Sequence, residues 1–116
     1  KMEKVIVDLC NKLVTTTFNV QYLGAYYAVI YYYCFFSVDA ARAQFHYNQI
    51  KEYVEKDTDA NGYRVRAFYE LVVKNNRDGA YELAQKASRV LSVFSTGSER
   101  IYEGHCIDNL YQSING

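Results

Sequence analysis

Apolar residues recur at spacings of three and four along most of the chain, and the polar residues between them gather into short clusters, a pattern that predicts six helices. Ile6, Leu9, Cys10 and Leu13 form one stripe of a first helix over Glu3 to Val14, after which the β-branched and polar Thr15 to Thr17 loosen the chain into a turn. A second helix, from about Asn19 to Phe36, is apolar almost all round and is therefore expected to be the central buried one. Ser37 to Asp39 closes a tight turn, with Ser37 or Asp39 able to cap a third helix from Ala40 to Lys56. Its inward contacts read as Ala43, Phe45, Tyr47, Ile50 and Val54. The stretch Asp57 to Gly62 carries the strongest loop signal in the chain. A fourth helix from Tyr63 to Lys74 turns Val65, Phe68, Leu71 and Val72 inward. After a turn over Asn75 to Gly79, a fifth helix from Ala80 to Phe94 presents Leu83, Ala84, Ala87, Val90 and Leu91 on one face. Thr96 followed by Glu99 reads as a capping box that opens a sixth helix, Ser98 to about Ile114. No strand competes despite the β-propensity of tyrosine and valine, because no turn punctuates the first long apolar run.

The pattern also repeats. A shift of 41 positions superposes Tyr27 on Phe68, Ile30 on Leu71, Ala43 on Ala84 and Ile50 on Leu91, matching large apolar and small residues where helix pairs must cross. Two matched hairpins, Val20 to Lys56 and Asn61 to Phe94, follow from it. A repeat of this length is the signature of an α-solenoid, in which a hairpin cannot bury its apolar face alone and uses its neighbours. The fold expected is all-α, a right-handed stack of antiparallel helical hairpins of the TPR or HEAT kind, elongated, in one segment over residues 1–116.

Composition narrows the function. A chain of 116 residues makes one domain with a real core. Thirteen basic residues balance thirteen acidic ones, so no net field steers it toward nucleic acid or acidic lipid, and no direct nucleic-acid site is evident. The apolar run Val20 to Phe36 is short for a membrane span and carries Gln21 and six tyrosines, so it reads as a helix enclosed by protein, with no membrane partner. Cys10, Cys34 and Cys106 are odd in number and lie mostly within apolar runs, as reduced core thiols of an intracellular protein do.

Candidate chemistry is sparse. His105 and Cys106 are adjacent and so point to different helix faces, which argues against a metal pair or a nucleophile with its base. His46 has no ligand partner one turn away and reads as a surface or groove histidine. Glu52 and Glu55 share a face but lack the Glu-x-x-His companion of di-iron bundles, so they form a solvated stripe with Lys51 and Lys56. No phosphate-cradling glycine motif occurs. The chain is expected to be non-enzymatic, with no catalytic residue, metal or cofactor. The thirteen tyrosines are the ambiguous feature, since a large ring with a hydrogen-bonding hydroxyl suits both a hairpin junction and a protein interface. Tyr26, Tyr31, Tyr33, Tyr47, Tyr63 and Tyr102 are the candidate interface residues.

The succession Leu9-Cys10-Asn11-Lys12-Leu13, Val20-Gln21-Tyr22, Phe68-Tyr69-Glu70-Leu71, Asp78 to Ala80 and Gly104-His105-Cys106-Ile107 resembles the N-terminal helical-repeat region of a PCI-domain family, the m subunit of eukaryotic translation initiation factor three. The likeness covers most of the chain and rests on the order of helix-repeat residues. It departs at Arg77-Asp78-Gly79, where that family has a serine and an aspartate, and by one residue fewer between His105 and Cys106. The resemblance implies a cytoplasmic scaffold subunit of the initiation factor assembly, contacting sister subunits near the small ribosomal subunit, and an excerpt of a longer chain that ends in a winged-helix module. A sister subunit of the proteasome lid or the COP9 signalosome fits the same pattern. A free-standing peptide-binding adaptor is the other alternative, because Gly79-Ala80-Tyr81-Glu82-Leu83-Ala84 resembles the second helix of a tetratricopeptide motif.

Overall fold

A computed structural model describes residues 2–15, 19–94 and 97–116, and the described residues hold six α-helices and no strand. They are α1 (Met2–Thr15), α2 (Leu23–Tyr31), α3 (Ala40–Val54), α4 (Ala60–Val72), α5 (Arg77–Phe94) and α6 (Gly97–Asn115). The segment read as one long second helix is composite. A 3-10 turn, Val20–Tyr22, leads into α2, and a wider π turn, Tyr32–Phe36, leads out of it. Asn19 starts the segment by accepting the Gln21 N–H at 3.1 Å.

Helices α2, α4 and α6 lie side by side, with α3 against α2 and α4, α5 against α4 and α6, and α1 on α2. This is the hairpin stack expected from the repeat, but its hub is α4 rather than the second helix. Val65, Ala67 and Phe68 are fully enclosed, because α4 alone is flanked by α2, α3, α5 and α6. The expected elongation is not found: the body measures 36 × 31 × 30 Å. A helix of α6's length spans about 28 Å, and three helices packed roughly 8–10 Å apart are about as thick, so a stack this short is nearly equant.

The repeat holds in the core and shifts at the turns. Tyr27 and Phe68, Ala43 and Ala84, and Ile50 and Leu91 are buried at both members of each pair, while Leu71 is half-buried opposite the enclosed Ile30. Each hairpin closes in the same way. The helix end is capped by a backbone bond reaching back six residues (Asp39 N–H to Tyr33 carbonyl, Asn76 N–H to Glu70 carbonyl, both 2.8 Å) around a left-handed residue, Val38 or Asn75. The next residue then caps the following helix, as Asp39 accepts the Arg42 N–H at 3.1 Å and Asn76 accepts the Gly79 N–H at 3.0 Å. From Asp39 to Asn76 is 37 positions, four short of the repeat. Four residues make about one helical turn, so the crossover moves without rotating either buried face. Helix α5 therefore begins at Arg77, inside the stretch read as a turn.

Helix α4 likewise begins at Ala60, inside the supposed loop. Asp57 accounts for this. Its carboxylate accepts the Asp59 N–H at 2.9 Å and the Tyr27 hydroxyl at 2.7 Å, tying the connection to α2. A Cβ at Gly62 would lie 2.6 Å from the Asp57 side chain, so the glycine that signals a turn in the sequence instead makes room within the first helical turn. The cap of the expected box, Thr96, lies outside the described residues, as do Thr16, Thr17 and the side chains of Ile6 and Cys10.

Ala43→Leu and Ala84→Leu should each overpack a helix crossing and cost about 1–3 kcal/mol, seen as lowered melting temperatures; unchanged melting in both would remove the equivalence of the hairpins. Val38 has φ 48°, a conformation that crowds a β-branched side chain, and it is 67% exposed, so little packing is lost on removing it. Val38→Gly should stabilise the fold by about 0.5–1 kcal/mol after allowing for glycine's unfolded-state entropy. Urea denaturation would read this, and a lower midpoint would contradict it.

Candidate functional site

The six candidate tyrosines do not form one surface. Tyr26 and Tyr47 are 1% and 2% exposed, and Tyr31 and Tyr33 are also buried, so these four are packing residues of the core and not a face open to a partner. Their rings pack on other rings: Tyr26 and Tyr33 on His46, Tyr47 and Tyr31 on aromatic side chains of α4 and the π turn. Tyr47 stacks on Tyr69 with centroids 3.7 Å apart, and Tyr31 packs on Phe35 and Phe68. Tyr63 is half-buried and lies under two cations, Arg66 from its own helix and Lys86 from α5, 5.8 and 6.0 Å from the ring centroid. Tyr102 is exposed, and partial burial still raises its pKa, with Cys106 contributing.

A buried ionic cluster that sequence reasoning missed joins α4 to α6. Arg64 is 2% exposed and Glu103 4%. The Arg64 Nε donates to Glu103 Oε1 and its Nη2 to Asn61 Oδ1, with a longer bond of 3.4 Å from Nη2 to Glu103 Oε2. The guanidinium lies 4.9 Å from the centre of the Tyr31 ring, whose hydroxyl accepts a hydrogen bond from Asn109 Nδ2 at 2.9 Å. Burial pushes the Tyr31 hydroxyl up to about 12, against the opposing effect of the Asn109 bond. Burial also pushes the Cys34 thiol up to about 12, with the Arg64 charge pulling weakly the other way. A thiol held protonated in this manner is a poor nucleophile. Cys34 and Cys106 are free and buried, as expected for core thiols. Apart from Arg64 Nη1, which is buried without a hydrogen-bond partner among the described residues, the cluster's polar atoms face one another, and this geometry is that of a clamp between two helices. The signal for it was present: Glu103 occupies the apolar stripe of Cys106, Ile107, Leu110 and Ile114, and Arg64 that of Phe68 and Leu71.

His46 corrects a second expectation. It is buried, not on a surface or in a groove, because α3 turns it between α2 and the π turn. Its ring stacks on Tyr33 at 5.8 Å and meets Tyr26 and Phe45 edge-on at 6.2 and 5.2 Å. Phe45 itself is 48% exposed rather than inward, since it covers the rim of this aromatic box. The buried His46 Nδ1 has no hydrogen-bond partner among the described residues, and desolvation lowers the imidazole's pKa. A base depressed in the folded state binds fewer protons than in the unfolded chain, so stability falls as pH drops below the unfolded value of about 6.5. Chemical denaturation at pH 7.5 and pH 5 should show a loss at the lower pH that His46→Phe reduces; an equal loss in both proteins would remove the histidine as its cause.

Lys51, Glu52, Glu55 and Lys56 form the exposed stripe expected, with Lys56 and Glu52 4.0 Å apart. Among the described residues no three His, Cys, Asp or Glu side chains converge as metal ligands, and no helix is long and apolar enough to cross a membrane. The large apolar side chains left in solvent include Phe36 and Val38 at the first hairpin turn and Val93, Ile101 and Tyr102 where α5 passes to α6. Compared with protein-family models, with curated proteins and with solved structures, the chain matches none.

Proposed function

We propose that the chain is a non-enzymatic scaffold segment whose packed hairpins hold fixed side chains against partner proteins in a larger assembly. The observation that carries this reading is the division of residue types between inside and outside. The ionisable groups with unusual environments, Arg64, Glu103, His46, Tyr27 and Tyr31, are engaged within the helix packing. Phe36, Val38, Val93, Ile101 and Tyr102 are instead left at the turns and helix ends, where a rigid surface can bind without a large ordering cost. The sequence resemblance makes the translation initiation factor three complex the first assembly to test, with its sister subunits as partners and the cytoplasm as the compartment.

The experiment is reconstitution. The chain, mixed with the purified sister subunits, should migrate with the large particle on size exclusion, and Phe36→Asp with Val38→Asp should weaken that association while leaving the helix content unchanged. Migration as the free chain in every mixture would sink the assembly reading. Capture of short peptides alone would replace it with the adaptor.

A further inference from the structure

Helices α5 and α6 enclose a surface groove of about 290 Å³ that the fold leaves open. Leu91 and Ile107 form its apolar floor, and Arg100, Gly104 and Asp108 of α6 lie along it. These three are spaced four residues apart, on one ridge of the helix, and Gly104 is midway. From the geometry we infer that this groove is a self-association face, in which α6 of one copy crosses α6 of a second copy antiparallel about a two-fold axis at Gly104.

Charge selects the occupant. Arg100 and Asp108 lie about 6 Å on either side of Gly104 along the helix axis, given a rise of about 1.5 Å per residue. An antiparallel crossing centred on Gly104 sets Arg100 of each copy opposite Asp108 of the other, twice, so the face is complementary to itself as an isologous dimer requires. One Arg100 nitrogen, Nη2, is anchored on the Leu91 and Ser92 carbonyls at the end of α5, which fixes the guanidinium fork at the groove. Asp108 is exposed and makes no salt bridge among the described residues.

Gly104 supplies an independent observation. A glycine inside a helix is unfavourable relative to alanine. Packing within the chain does not require it, because an added Cβ would meet only Leu91 Cδ2, at an ordinary 4.0 Å. The missing side chain instead lets another helix backbone approach at the one point where the two-fold would fall. The inference does not depend on which larger assembly the chain enters.

Sedimentation equilibrium over a wide concentration range tests it. The chain should form a reversible dimer. Asp108→Arg should leave helix content and melting of the monomer unchanged and weaken the dimer about tenfold or more, since two attractive pairs become repulsive. Arg100→Asp should do the same to the dimer. The double variant, Arg100→Asp with Asp108→Arg, restores opposite charges across the axis and should recover most of the lost affinity. Gly104→Leu should abolish the dimer without unfolding the chain. A monomer at every concentration, a dimer indifferent to Asp108→Arg, or a double variant no tighter than the single ones would each overturn the assignment.

Discussion

Glu103→Ala is expected to destabilise the fold by about 3–5 kcal/mol, because it leaves the Arg64 guanidinium enclosed and without its counter-charge. A domain of this size has a total stability of only about 5–15 kcal/mol, so the variant should be close to unfolding at modest denaturant concentration. The cost comes from the partner left behind more than from the bond removed. Arg64 is 2% exposed, its Nη1 already lacks a hydrogen-bond partner, and the Tyr31 ring beneath it cannot replace a carboxylate. Glu103→Gln keeps the shape and one acceptor, and should therefore lose less. Replacing both residues, Arg64→Met with Glu103→Leu, should recover much of the loss, since exchanging a buried pair for apolar side chains is often neutral or stabilising. Urea denaturation of the four proteins decides between this and a solvated cluster, in which Glu103→Ala would lose less than about 1 kcal/mol. The pair joins α4 to α6, so α6 should lose its hydrogen-exchange protection first in the single variants.

Helices and their inward faces were legible in the sequence because spacings of three and four report directly which side chains share a face. Ala43, Ile50, Val54, Val65, Phe68, Ala84 and Ala87 all lie in the core as that pattern predicts. Helix starts were less legible, and for a definite reason. Asn, Asp and Gly signal a turn when nothing else is known, but Asn76 and Asp57 act as caps and ties at the helix starts, and Gly62 and Gly79 admit their side chains. Polar residues over Asp57 to Gly62 and Asn75 to Gly79 thus belong partly to the helices they introduce. The choice of central helix failed on a similar point. The second segment is the more apolar one, but enclosure depends on the number of neighbours, and α4 has helices on more sides.

Candidate sites were least legible. Periodicity can say that Tyr26, Tyr31 and Tyr33 wind around one helix; it cannot say which other helices surround them. The buried cluster needed two weak signals read jointly, a glutamate on one apolar stripe and an arginine on another 39 positions away. Either alone passes for a surface charge at the border of a helix face. The Arg100, Gly104 and Asp108 ridge is visible in sequence as a spacing, but its meaning rests on the groove beside it and on the lack of any close contact that would require a glycine at Gly104, which only the packing reveals.

Phe68→Ala should cost about 3–5 kcal/mol, the range for removing an enclosed aromatic side chain. Phe68 is fully buried at the center of α4, with its ring 5.3 Å from that of Tyr31 and 6.2 Å from that of Phe35. Its removal opens a cavity where α4 meets α2 and the π turn, and the flanking helices cannot close on it without breaking contacts elsewhere in the stack. Phe68→Leu keeps most of the volume and should lose less than half as much. The equivalent position in the first hairpin gives the contrast. Tyr27 is also buried but its hydroxyl is bonded to Asp57, so Tyr27→Phe should lose roughly 1–3 kcal/mol through a single hydrogen bond to a charged group. Denaturant midpoints for Phe68→Ala and Tyr27→Ala, which remove the whole ring at each of the two equivalent positions, would rank the two hairpins directly. If the two variants lost equal stability, α4 would not be the hub of the fold, and the stack would depend on its first hairpin as much as on its second.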